Sequence, residues 1–261
     1  MSPVIIALIA FLATTTAVST WYALTYKARR RQRGMFGRWP IRTVSLEALD
    51  PVFARTPFGP GPQTEVRFVG QGSGIPGGTS DTEAWILAVL ATRSKAMFEF
   101  GTCTGKTTYL WARNAPASAK VVTITLAPDQ VNTYHGDSSD DARDTRHALK
   151  ESAYETFYYS GTEVESRIEQ LFGDSKAFDE SQHRDRYDLI FVDGSHAHSY
   201  VLSDSQKALK MCAPGGLILW HDYAGSRHSP GVYHALNELS ATVPLVHVAG
   251  TTFVAHRKPA G

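Results

Sequence analysis

The apolar positions of this chain fall into runs whose spacing changes along its length. From Val4 to Leu24 no charged residue interrupts 21 positions, and at about 1.5 Å of helix rise each they cover roughly the 30 Å hydrocarbon thickness of a bilayer. That run predicts one membrane-spanning helix. Further along, Met97–Phe100, Lys120–Leu126 (KVVTITL), Tyr187–Asp193 (YDLIFVD) and Leu217–Trp220 are apolar at almost every position and predict strands buried on both faces, as in a parallel sheet. Helical spacing recurs between them: from Ser80 or Asp81 to Leu90, from Thr107 to Asn114, between Val164 and Phe172, from Ser199 to Cys212 and from Gly231 to Leu239. Strands alternating with helices predict an α/β fold with a mostly parallel sheet. The last apolar runs, LVHVAG and TTFVAHRK, are joined at Gly250 and Thr251 and predict an antiparallel hairpin.

Composition divides the chain further. At 261 residues, 43% of them hydrophobic, it holds one sizeable α/β domain with an appendage and not two large domains. Trp21, Tyr22 and Tyr26 close the apolar run like an interfacial belt, and Lys27, Arg29, Arg30, Arg31 and Arg33 follow at once, which places the carboxyl-terminal side in the cytoplasm. A cleaved signal peptide would carry its positive charge before the apolar run instead. Residues 34–78 are rich in Gly and Pro, with Pro51, Pro57, Pro60, Pro62 and Pro76 breaking any long element, so they read as a linker that wraps or leads into the domain. The expected division is a transmembrane anchor over 1–26, a basic juxtamembrane linker over 27–78 and a catalytic domain over 79–261.

Charge sets the partners. The first 46 residues hold seven basic residues and no acid, while the remainder has 19 basic against 25 acidic. An acidic domain is a poor nucleic-acid surface, and the basic run suits anionic lipid headgroups. Two cysteines, Cys103 and Cys212, give neither a disulfide framework nor a cysteine metal site. The Asp137, Asp140, Asp141 and Asp144 cluster lies in a polar insertion, residues 130–165, read as a loop plus a helical stretch with a solvated face.

The most informative stretch is MFEFGTCTGKTT, Met97–Thr108: a strand, a tight turn and a helix start. Gly101 and Gly105 enclose three residues, one fewer than a phosphate-cradling P-loop needs, and Cys103 stands where a dinucleotide fingerprint has its second glycine. What remains, Glu99-x-Gly101-x-x-x-Gly105, resembles the first motif of class I S-adenosylmethionine-dependent methyltransferases. The later FVDGSH, a helix and PGGLILWHDY are similar to a bacterial subfamily of small-molecule O-methyltransferases, and the likeness extends over about residues 79–257.

That resemblance implies a Rossmann-like seven-stranded sheet closed by the antiparallel hairpin. It also implies S-adenosylmethionine as methyl donor, and a small hydroxylated molecule as acceptor. Contacts to the donor are expected from Glu99, Gly101, Thr102, Gly105, Asp174, Ser175 and Asp193. The family's ribose-binding acid has no counterpart after the second strand, where Thr125 and Leu126 stand and Asp129 is the nearest acid; a catalytically silent cofactor-binding module is the alternative this motivates. Because ligands of open parallel sheets bind outside the carboxyl ends of the strands, Asp193, His221 and Asp222 are expected to converge there. They resemble the place where the catechol O-methyltransferase type holds magnesium, with the histidine leaving manganese open. His196, His221 and Asp193 are the expected catalytic groups, and His198 ranks behind them, since alternate residues of the His196–His198 pair cannot both face the site if that segment is simply extended.

Overall fold

A computed structural model describes residues 2–30, 33–34, 37–70, 72, 78–138 and 140–261. Arg31 and Pro76 lie outside these, and for Lys27, Arg29, Arg30, Arg33 and Arg38 only the backbone is described. Helix α1 (Pro3–Arg30) contains the apolar run. Within its segment Pro3–Tyr26 an 18-residue stretch has a mean hydropathy of 1.9 and is not buried against the rest of the chain, so by length and composition the segment is able to cross a membrane.

The domain is built on one eight-stranded sheet. In chain order its strands are β1 (Thr43–Val44), β2 (Ala96–Phe100), β3 (Lys120–Thr125), β4 (Ile168–Phe172), β5 (Tyr187–Val192), β6 (Cys212–Trp220), β7 (Val246–Val248) and β8 (Val254–Arg257). Across the sheet they run β1-β7-β8-β6-β5-β2-β3-β4, and β8 alone is antiparallel to its neighbours. Six of these strands are those the apolar runs predicted, and the sheet has eight strands where the resemblance implied seven. The eighth, β1, comes from the segment read as linker, where Ile41, Leu49, Val52 and Phe53 are buried on the domain. Asp50 fastens that segment by accepting from Arg93 Nη1 at 2.8 Å and Arg257 Nη2 at 2.7 Å. The Gly and Pro content that hides regular periodicity there still leaves apolar side chains to pack.

The strands sort their side chains by alternation. Leu189 and Phe191 of β5, with Leu217 and Leu219 of β6, face helices α2 (Asp81–Ala91) and α3 (Lys106–Asn114). Ile190, Val192, Ile218 and Trp220 face α5 (His198–Met211) and α6 (Pro230–Leu239) on the other side. Sequence order puts β2 and β5 side by side in the centre, with Phe98 opposite Ile190 and Phe100 opposite Val192, so the loops leaving both strands meet above the sheet.

One expectation is corrected. Residues 164–172 form not a helix but a short 3-10 turn, Glu165–Arg167, followed by β4. As the outermost strand it pairs only with β3, so polar side chains such as Glu169 intrude on its apolar pattern. The polar insertion does contain a helix, α4 (Ala142–Glu151), capped by Asp141, whose carboxylate accepts from the Arg143 amide at 2.7 Å.

Candidate active site

The turn after β2 is shaped by its backbone. Gly101 (φ +96°) and Gly105 (φ +75°) occupy the left-handed region, and a β-carbon on Gly101 would lie 2.1 Å from the carbonyl oxygen of Asp193. Only glycine permits that approach of the β2 and β5 loops. Gly105, against Phe157 and Tyr159, is the N-cap of α3.

Above these loops lies a cleft walled by Gly101, Cys103, Ile124–Leu126, Tyr134, Ala148, Glu151, Ser152, Gly173–Ser175, Asp193–Ser195, Tyr200 and Asp204. Of the residues expected to meet a cofactor, Gly101, Asp174, Ser175 and Asp193 line it. Glu99, Thr102 and Gly105 do not. Glu99 lies beneath the turn, where one carboxylate oxygen accepts from the hydroxyls of Thr108 and, at 2.7 Å, Thr123. Burial pushes its carboxyl up to about 8, against those hydrogen bonds. Thr102 is buried 2.8 Å from Thr123 Oγ1 and accepts from Gln170 Nε2. Both residues set the shape of the turn rather than its surface.

At the far end of the cleft the phenol of Tyr200 donates to Asp174 at 3.0 Å and stacks on Tyr134 at 4.4 Å between ring centres. Asp204 is fully buried with Oδ1 unpartnered, and burial raises its carboxyl to about 7 despite a hydrogen bond from Ser175. Asp129 is not part of the wall, whereas Glu151 of α4 is.

A second, polar pocket adjoins the first and shares Cys103, Glu151 and Asp193 with it. Its other walls are Gly78, His147, His196, His221 and Asp222. Asp193 and His221 leave the carboxyl ends of the adjacent strands β5 and β6, as expected, and converge with Asp222. Asp222 adopts φ +60°, a conformation that costs a non-glycine residue free energy and recurs at functional sites.

His221 is not available to a metal or a substrate proton. Its Nδ1 lies 2.9 Å from Asp193 Oδ1 and 3.3 Å from Asp222 Oδ2, and its Nε2 lies 3.5 Å from Glu83 Oε2. Both ring nitrogens are engaged by carboxylates, which hold the imidazole well above its usual range although burial opposes the charge. Burial alone would raise the Asp222 carboxyl, but His221 and His196 hold it well below the ordinary value. Burial does raise Asp193, outweighing its bond from His221.

His196, also expected among the catalytic groups, reaches the same Asp222. Its Nε2 lies 2.9 Å from Asp222 Oδ2, and the carboxylates around it push the ring up to about 9 against the burial penalty. Helix α6 supports its loop so closely that a β-carbon on Gly231 would lie 2.1 Å from the His196 carbonyl oxygen. His198 points elsewhere and pairs with Glu238 at 3.0 Å. Two donor sets share His196, namely Asp193–His196–Asp222 and His147–Glu151–His196, with the donor atoms of each set within 4.8 Å of one another. Sequence reasoning missed His147 and Glu151. Their i, i+4 spacing in the insertion was the available signal, masked by the aspartates around it.

Residues 98–223 match the sequence model of a methyltransferase domain family. A curated relative, an uncharacterised protein of Acanthamoeba polyphaga mimivirus, is 36% identical over 56 residues, which is 22% of this chain and only a quarter of the relative's length. Among solved structures, a protein of Corynebacterium glutamicum superposes with a TM-score of 0.50 at 13% identity, over 72% of this chain and 85% of the other. The SAH-bound methyltransferase PaMTH1 of Podospora anserina gives 0.49 at 17%, over 71% and 81%. The O-methyltransferase TomG of Streptomyces achromogenes, in complex with SAM, gives 0.47 at 16%, over 69% and 82%.

Proposed function

Since the chain belongs to the class I S-adenosylmethionine-dependent methyltransferases, we propose that it methylates a hydroxyl group of a small molecule, with its two adjoining pockets serving donor and acceptor. The observation that carries this reading is the shared wall: Asp193 borders both pockets, and only the first has the glycine-lined approach and stacked aromatic end that suit a nucleoside. The fit to the donor also rests on Asp204, whose buried, unpartnered oxygen lies at that end. S-adenosylmethionine supplies a methyl group on a sulfonium, ready for in-line displacement.

The chain's own residues do the rest. Positioning across the wall brings the acceptor oxygen toward the donor pocket. Asp193, whose carboxyl burial has made more basic, takes the acceptor's proton. With no cation bound, His196 is kept cationic by Asp222 and stabilises negative charge developing on the acceptor oxygen. A divalent cation held beside His196 would, when bound, lower the acceptor hydroxyl's pKa. Helix α1 and the basic run after it act as a single-pass membrane anchor, which holds the domain on the cytoplasmic face.

The test is calorimetric titration of the full chain in detergent with S-adenosylmethionine, beside ATP. Saturable binding of the first alone, followed by donor-dependent methylation within a panel of catechols and other small alcohols, is the expected result. A folded chain that ignores the donor sinks the proposal, and binding without turnover on any acceptor favours the silent module. Release of the full chain from membranes by alkaline carbonate would refute the anchor.

A further inference from the structure

We infer that His147, Glu151 and His196 form a binding site for a divalent transition-metal ion that fastens α4 to the loop after β5. His147 and Glu151 stand one helical turn apart on a single face of α4, with Nδ1 to Oε2 at 3.2 Å. The His196 ring stacks on His147 at 4.7 Å between centres. One donor atom from each of the three residues lies within 4.8 Å of the others. Two imidazoles and one carboxylate suit zinc, iron, cobalt or manganese, whereas magnesium and calcium prefer an all-oxygen shell.

The neighbouring set, Asp193–His196–Asp222, is closer to the expected arrangement but already committed. Asp193 Oδ1 holds His221, and Asp222 Oδ2 holds His196 at 2.9 Å and His221 at 3.3 Å, so an ion there would displace two buried imidazole contacts. On α4 it replaces one ion pair. The side chain of His147 is 48% exposed, which gives the ion an entry path and the ring room to turn its nitrogen inward. The Asp222 carboxylate on Nε2 leaves Nδ1 of His196 as the ligating nitrogen, a carboxylate–histidine arrangement that orients metal-bound imidazoles.

The probe is cobalt(II) added to the purified full chain in detergent, followed by its visible absorption, with thermal melts of every variant as a check on folding. One equivalent is expected to bind, to resist a hundredfold excess of magnesium, and to lose more than about tenfold in affinity in both His147→Ala and Glu151→Gln. In His147→Cys, a thiolate-to-cobalt charge-transfer band should appear, which a bystander at position 147 cannot produce. Absence of stoichiometric binding, displacement by magnesium, or binding that survives both α4 substitutions and disappears in Asp193→Asn would overturn the site. No step of this test uses the methyl donor, so its failure and the failure of the methyltransferase reading are read separately.

Discussion

The α-carbon of Gly101 sits so close to Asp193 that a β-carbon would lie 2.1 Å from the Asp193 carbonyl oxygen. The two loops that wall the cleft proposed for the donor are therefore fitted to each other through one missing methyl group. Gly101→Ala adds that methyl at φ +96°, and strain plus overpacking should cost about 1–3 kcal/mol. Donor affinity should fall more than tenfold in calorimetry even where the variant stays folded, because relief requires the two loops to part. Unchanged affinity would mean that the loops are not the donor's floor.

Asp204 gives the domain a pH-dependent stability at its centre. Its carboxyl rises from the ordinary value near 3.8 to about 7, so the folded chain holds a proton that the unfolded chain releases. Stability is greatest below pH 4 on this account, declines as pH rises toward 7, and is level above it. Asp204→Asn should remove that slope and stabilise the chain at pH 8 by up to about 4 kcal/mol, read from urea unfolding at pH 5 and pH 8. Equal gains at both pH values would show that Asp204 does not titrate as described.

Glu83 works in the opposite direction. It closes the capping box of α2 with Ser80, accepts from the Thr252 amide at 2.6 Å and faces His221. Despite its burial, these contacts bring it from 4.5 down to about 2. Its stabilisation is complete above pH 4.5 and disappears as pH falls toward 2. Glu83→Gln should cost about 3 kcal/mol at pH 7 and flatten the acid limb between those values; an acid limb of unaltered slope would assign acid lability to other carboxylates.

His196 borders the pocket proposed for the acceptor but not the cleft proposed for the donor. His196→Gln should accordingly leave donor binding within a factor of about two while lowering kcat by roughly 10²–10³, the usual loss of one preorganised electrostatic contact. A matching loss of donor affinity would place His196 in the wrong pocket.

Much of the fold was legible because buried parallel strands and their helices leave an apolar rhythm, and the loop after Phe100 announces itself by the spacing of its glycines. The site was legible only in part. Asp193, His221 and Asp222 were expected together from their places at the strand ends, yet which imidazole faces outward depends on Glu83, 138 positions away along the chain. Nothing local to His221 records that contact. Glu99 carried the motif but lies beneath the turn, since an acid inside an apolar strand reads alike whether its carboxylate faces a ligand or two threonine hydroxyls. β4 was mistaken for helix because an edge strand shows solvent the polar residues that central strands exclude.

Helix α4 presents Ala148 and Glu151, with Ser152 just past its end, to one pocket and His147 and Glu151 to the other. A helix that is wall to both pockets makes their occupancies one linked equilibrium. By whatever factor a filled acceptor pocket steadies α4 and tightens the hold on the donor, the donor must tighten the hold on the acceptor equally. Order of addition then has no effect on the final complex, only on the rate of reaching it. Product inhibition should bear the same signature, with each spent ligand changing the affinity for the other by one shared factor.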